Sequence, residues 1–141
     1  MNIKPKAKLL ILMLLSCFLT YQCQLDMYVQ GERIYEAQCS NCHMSDGSGL
    51  VEVINDISDS KLFNSQDPTP LIKLLINGGS DDREDGLQMP SYKYVLNRVE
   101  ICNLINYLNH KWDKDFVELK IEEFDKIYKE EVDITDIRLP Q

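Results

Sequence analysis

Cys39-Ser40-Asn41-Cys42-His43 is a pair of thiols separated by two residues and followed directly by an imidazole. In this spacing, at a helix end, the thiols reach the two vinyl groups on one edge of a porphyrin and form thioethers. His43 then falls under the iron as the proximal ligand. A bare Cys-x-x-Cys has rival uses. A four-ligand zinc site wants a second Cys/His pair at matching spacing, and only Cys102 and His110 remain downstream. A thioredoxin-type dithiol belongs in a βαβ setting, and no strand pattern surrounds the motif. The stretch therefore reads as covalent attachment of one haem c through Cys39 and Cys42, with His43 as an axial iron ligand.

A second axial ligand has to come from elsewhere in the chain. Met44 is adjacent to His43 and cannot reach the opposite face. His110 sits at the end of a helical pattern and reads as a surface residue. Met89, in Leu87-Gln88-Met89-Pro90, lies in a loop some tens of residues past the motif. The following proline stiffens that loop and removes a backbone donor. A thioether there can enter from the distal side, so Met89 is the expected sixth ligand.

The 141 residues carry a formal net charge of −8, with 27% charged and 44% apolar residues. That balance fits one globular domain with appendages. It excludes nucleic acid, which asks for a basic face, and permits a basic protein partner. Five cysteines do not form a disulfide framework here. Two belong to the motif and two to the N-terminal leader, while Cys102 falls within a helical pattern as a small buried hydrophobe.

The leader has a basic start, Lys4, Lys6 and Lys8, followed by the apolar run Leu9-Leu10-Ile11-Leu12-Met13-Leu14-Leu15. This run is too short to span a bilayer core of roughly 30 Å as a helix and reads as a secretory signal. Leu14-Leu15-Ser16-Cys17 resembles a bacterial lipobox, which makes Cys17 the expected lipidated residue. Cys23 is the competing site, although Gln22 before it is a poor match. The expected organisation is a signal over 1–16, a tether over 17–27, a compact domain over 28–112 and a charged extension over 113–141. An ordinary signal peptide with an incidental cysteine would instead leave a soluble secreted or periplasmic protein.

Within the compact part, the first helix is expected from Tyr28 to Cys39, with Gly31 and Tyr35 on one face. Gly31 suggests close approach of another helix. The glycines of Met44-Ser45-Asp46-Gly47-Ser48-Gly49 mark a tight loop. Val51, Val53, Ile54 and Ile57 are expected to line the cofactor pocket, with Leu62 and Phe63 as a further apolar anchor. Thr69-Pro70 reads as cap and first turn of a short buried helix ended by Gly78-Gly79. Ser80 to Gly86 is a charged loop lacking the ordered ligand spacing of a calcium site. Asn97-Arg98-Val99-Glu100 reads as a capping box. It opens a helix whose Ile101, Leu104, Ile105 and Leu108 follow a 3.6 period. Leu104 and Tyr107 are the expected partners of Gly31 and Tyr35, and Trp112 closes the domain. In the extension, Val117, Ile121, Phe124 and Tyr128 suggest an amphipathic helix of about three turns that docks on the body. The residues around Arg138-Leu139-Pro140 read as a frayed end.

From Tyr28 to Trp112 the chain resembles a class I mono-haem cytochrome c of the bacterial lipoprotein type. The resemblance rests on Cys39, Cys42, His43 and Met89 and on the expected crossing of Gly31/Tyr35 with Leu104/Tyr107. It implies an all-α fold of three or more helices around one covalently bound haem c. It also implies electron transfer between redox protein partners by a protein that is not itself an enzyme. Such proteins usually carry, after the haem motif, a proline whose carbonyl accepts from the proximal histidine ring. Asn55 and Asp56 stand there instead, and another backbone carbonyl can take the role. The expected location is the periplasmic side of a bacterial membrane, held by a lipid anchor. The alternative is a haem-based sensor or enzyme subunit in which Met89 dissociates. A zinc-binding interaction module is more distant still.

Overall fold

Nothing between Lys6 and Gln30 breaks a helix, since the stretch holds neither proline nor glycine. In the computed structural model, which describes residues 5–80 and 88–132, the first helix accordingly runs unbroken as α1, Pro5–Gln38. It does not begin at Tyr28: the segment expected as a tether continues the helix backwards. A tight turn at Cys39 follows, where the amides of Cys42 and His43 both donate to the Cys39 carbonyl, at 3.1 and 2.9 Å. The next turn of chain is α2, Ser40–His43.

The remaining elements are α3, Thr69–Asn77; a two-residue antiparallel ribbon of β1, Gly79–Ser80, and β2, Gln88–Met89; α4, Arg98–Trp112; and α5, Ile121–Glu131. The fold is all-α apart from that ribbon. The charged residues 81–87 and the tail 133–141, with Arg138-Leu139-Pro140, lie outside the described residues.

Helices α1 and α4 cross where the glycine allows it. A Cβ on Gly31 would lie 2.3 Å from the Asn103 carbonyl oxygen and 2.6 Å from Tyr107 Cβ. Only hydrogen fits there, which explains a glycine inside a helix despite its cost of roughly 1 kcal/mol against alanine. The partner of Gly31 is therefore the Asn103 carbonyl beside Tyr107. Leu104 instead points into the core, fully buried with Ile101 and Ile105. The Tyr35 and Tyr107 rings pack at 5.8 Å.

α4 starts at the expected capping box. Asn97 Oδ1 accepts from the Glu100 amide at 3.1 Å, and Glu100 Oε2 accepts from the Asn97 amide at 2.8 Å. α3 begins differently from expectation. Its cap position is Pro68, Thr69 is already helical, and Asp67 Oδ1 accepts from the Thr69 amide at 3.2 Å. The short carboxylate of Asp67 thus satisfies an otherwise orphaned helix donor. Leu71, Ile72, Leu75 and Ile76 of α3 are buried, each stabilising the fold by roughly 1.5–3 kcal/mol.

The extension docks on the body. Phe124 of α5 is fully buried, and Arg98 pairs with Asp125 at 3.0 Å. The link into α5 is fixed by Asn106, a buried polar residue of α4. Its side-chain amide donates to the Leu119 carbonyl at 2.9 Å, and its Oδ1 accepts from the Leu119 amide at 2.8 Å. Ser65 ties the other end of the link: its amide and hydroxyl donate to Asp113 Oδ2, at 2.7 and 2.6 Å. These bonds hold the Asp113 carboxyl below its ordinary pKa.

Candidate functional site

The turn at Cys39 faces α3 and the ribbon across a cleft of about 410 Å³, within the range of small-molecule and cofactor sites. Cys39, Cys42, His43 and Met89 all line it, so residues far apart in sequence converge on one cavity. A smaller cavity of about 60 Å³ continues inward, shares Cys39, His43 and Met89, and is walled by Phe63, Leu71 and Leu108. Cys102 is not among the lining residues; its thiol is buried and donates to the Leu119 carbonyl at 3.5 Å. His110 is exposed and packs beside Tyr28, ring centroids 4.8 Å apart. Among the described residues no group of three or more His, Cys, Asp and Glu side chains is arranged to hold a metal ion.

Each candidate side chain has a distinct setting. Cys39 is buried and Cys42 exposed. Burial pushes the Cys39 thiol up to about 11, offset in part by a hydrogen bond with Tyr92. Tyr92 was not singled out by sequence pattern. Its hydroxyl donates to the Gln38 carbonyl at 3.0 Å, its amide donates to the Leu75 carbonyl at 2.8 Å, and burial pushes its own pKa up to about 12. It braces the last turn of α1 against α3.

Burial lowers the His43 pKa, which favours the neutral imidazole that metals bind. Its Nδ1 is buried with no hydrogen-bond partner among the described residues. Among the described residues no backbone carbonyl accepts from that nitrogen, although Asn55 lines the same cleft.

Met89 is placed by backbone. It pairs with Gly79 in the ribbon, and its carbonyl passes Gly78 so closely that a Cβ there would stand 2.5 Å from the oxygen. Gly78 has a φ of 77°, a region open to glycine. Ser91 Oγ also donates to the Ile76 carbonyl. The pair Gly78-Gly79 thus ends α3 and seats Met89 as well.

Of the four apolar residues expected to line the cleft, Val53, Ile54 and Ile57 do. Val51 does not: it is 89% exposed. The chain turns back on itself there through a Leu50–Ile54 bridge, which puts Val51 at the tip. Leu62 and Phe63, expected as an apolar anchor, wall the inner cavity, and Phe63 stacks on Trp112 at 4.8 Å.

This donor set fits haem c: two thiols and an imidazole on one turn of chain, a thioether on a braced strand and apolar walls between them.

Residues 26–108 match the family described as cytochrome C oxidase, cbb3-type, subunit III. The chain belongs to this cytochrome c family. Membership implies haem c as its cofactor. The cytochrome c domain is also similar to three dehydrogenase subunits. It is 25% identical over 88 residues to the alcohol dehydrogenase (quinone) cytochrome c subunit of Gluconacetobacter polyoxogenes, covering 60% of this chain and 19% of that protein. It is 26% identical over 86 residues to the subunit of the same name from Gluconobacter oxydans (strain 621H), covering 58% and 18%. It is 26% identical over 87 residues to the gluconate 2-dehydrogenase cytochrome c subunit of Pantoea cypripedii, covering 58% and 20%. The chain thus spans about a fifth of the length of these relatives.

Proposed function

We propose that this chain is a mono-haem, class I c-type electron carrier whose haem is bonded to Cys39 and Cys42 and ligated by His43 and Met89. The observation that carries the reading is the meeting of these four residues in one cleft. The sequence holds one Cys-x-x-Cys-His, so one haem is expected. Bound there, haem c supplies a one-electron couple, and a methionine ligand favours Fe(II). The chain's own residues set the terms. Cys39 and Cys42 would hold the haem covalently, His43, whose buried imidazole favours the neutral form, and Met89 would supply its iron ligands, and the apolar residues of the cleft would limit water. Ligated by both residues, the iron would offer no position to a substrate, which is the reason for reading the role as electron transfer.

The partners are redox proteins. The likeness to dehydrogenase cytochrome c subunits supports an oxidoreductase as one of them, and the net charge of −8 suits a basic docking face. We place the protein on the periplasmic side of a bacterial membrane, anchored by lipid on Cys17, with Cys23 as the alternative. The support is the leader pattern and Ile11 to Leu15, apolar and 52–75% exposed on α1. The side chains of Cys17 and Cys23 lie outside the described residues. Among the described residues no helix is long and apolar enough to cross a membrane; a covalent lipid anchor holds stably with two or more chains. Labelled fatty acid should be incorporated by the full chain and lost in Cys17→Ser; label kept there and lost in Cys23→Ser moves the anchor.

Attachment is tested on denaturing gels. The protein matured in a haem c-assembling host should retain haem peroxidase staining after acid–acetone extraction. The double variant Cys39→Ser/Cys42→Ser should lose it. Staining extracted from the wild type contradicts covalent attachment.

A further inference from the structure

The segment that follows His43 is held from two helices at once. Tyr35 of α1, 1% exposed, donates its hydroxyl to the Met44 carbonyl at 2.6 Å. Lys111 of α4 donates its ammonium to the Ser45 carbonyl and to the Tyr107 hydroxyl, the latter at 3.1 Å. Lys111 is exposed at the surface, and its ammonium is flanked by three rings. It stands 5.3, 5.4 and 5.0 Å from the ring centroids of Tyr35, Tyr107 and Trp112, within the reach of cation–π attraction. The carboxylate of Asp46 also feels its charge.

The held segment is conformationally costly. Met44 has a φ of 61°, which a side chain rarely adopts, so the surroundings must impose it. Two amides of the loop close back on the same turn: Gly49 donates to the His43 carbonyl at 3.1 Å and Gly47 to the Met44 carbonyl at 3.3 Å. Gly47 lies flat on Trp112, where a Cβ would come within 2.7 Å of the ring. Meanwhile the His43 ring has no hydrogen bond at Nδ1 among the described residues. Its orientation is therefore set through its backbone, and Tyr35 and Lys111 grip that backbone one and two residues on.

We propose that Lys111 and Tyr35 are positioning residues for His43, clamping the strained turn after it and so fixing the imidazole that a histidine ligand commonly has fixed by a hydrogen bond to its ring. The inference rests on the reading of His43 as an axial ligand. Lys111 also holds a positive charge at the Ser45 carbonyl, two residues from His43, and such a charge near the iron would disfavour its oxidised, more positive state.

The test compares Lys111→Met, Lys111→Arg and Tyr35→Phe with the wild-type holoprotein. Amide hydrogen exchange at Gly47 and Gly49 should speed at least tenfold in Lys111→Met and in Tyr35→Phe, with amides in the middle of α4 unchanged. Imidazole added to the oxidised protein should displace an axial ligand faster in both. The midpoint potential should fall in Lys111→Met and return towards the wild-type value in Lys111→Arg. Tyr35→Phe deletes one oxygen, so it carries the test if Lys111→Met does not accumulate. Wild-type exchange, imidazole rate and potential in both variants overturn the clamp while leaving ligation by His43 intact. A wild-type protein whose spectrum shows no histidine-ligated haem overturns both readings.

Discussion

Gly78 illustrates how much one residue can be asked to do. It ends α3 at a φ of 77°, and the Met89 carbonyl occupies the place of its missing side chain. In Gly78→Ala the backbone is strained and the added methyl drives against a carbonyl, an overpacking cost of roughly 1–3 kcal/mol. The variant should unfold at lower denaturant. It should also lose part of the Met89-dependent absorption although Met89 is untouched. Full stability and an unchanged spectrum would remove Gly78 from the support of the site. From sequence, Gly78-Gly79 is legible only as a helix stop. Its second role depends on residue 89 returning beside it, which no local pattern encodes. The motif at 39–43 is different, because the chemistry that fixes its spacing is local to five residues. Gly31 lies between these cases: a glycine in a helix signals close approach, and the structure supplies the partner, the Asn103 carbonyl.

Among the elements, α5 shows what periodicity conveys and what it omits. Ile121, Phe124 and Tyr128 announce an apolar face, but a face does not name what it covers. Its seat is decided by Asn106, one of three buried asparagines of α4 with Asn103 and Asn109, whose amide pairs with both backbone groups of Leu119. Such a residue reads as noise in a hydrophobic pattern because its partner is another segment's backbone. Phe124, with no exposed surface, anchors the helix. Phe124→Ala should cost roughly 3–5 kcal/mol in reversible denaturation. The haem spectrum of the folded protein should stay unchanged, since α5 contributes nothing to the walls of the cleft. A loss below 1 kcal/mol would mean that the extension is not part of the cooperative unit. The turn at Val51 fails for a related reason: four apolar residues in seven suggest one lining, and a reversal of the chain puts one of them outside.

At the scale of the molecule, a cleft of about 410 Å³ sits among the elements that form the core. A domain over residues 28–112 is near the size at which a protein core alone is marginal, so bound haem and folding should depend on one another. The all-α class is what the resemblance to class I cytochromes c implies, and the structure bears it out. The two-residue ribbon was not legible, because a strand that short carries no alternation to detect. It is nevertheless the element that delivers Met89. The central claim is that His43 and Met89 together close the iron. The most direct test is the absorption spectrum of the purified wild type and Met89→Ala, oxidised and reduced, with and without carbon monoxide. The account predicts a six-coordinate low-spin wild type with a weak far-red charge-transfer band and poor carbon monoxide binding. Met89→Ala should lack the band, bind carbon monoxide readily and show a lower potential. A five-coordinate wild type, or rapid and tight carbon monoxide binding to it, would contradict the account and leave a sensor or enzyme with an available iron.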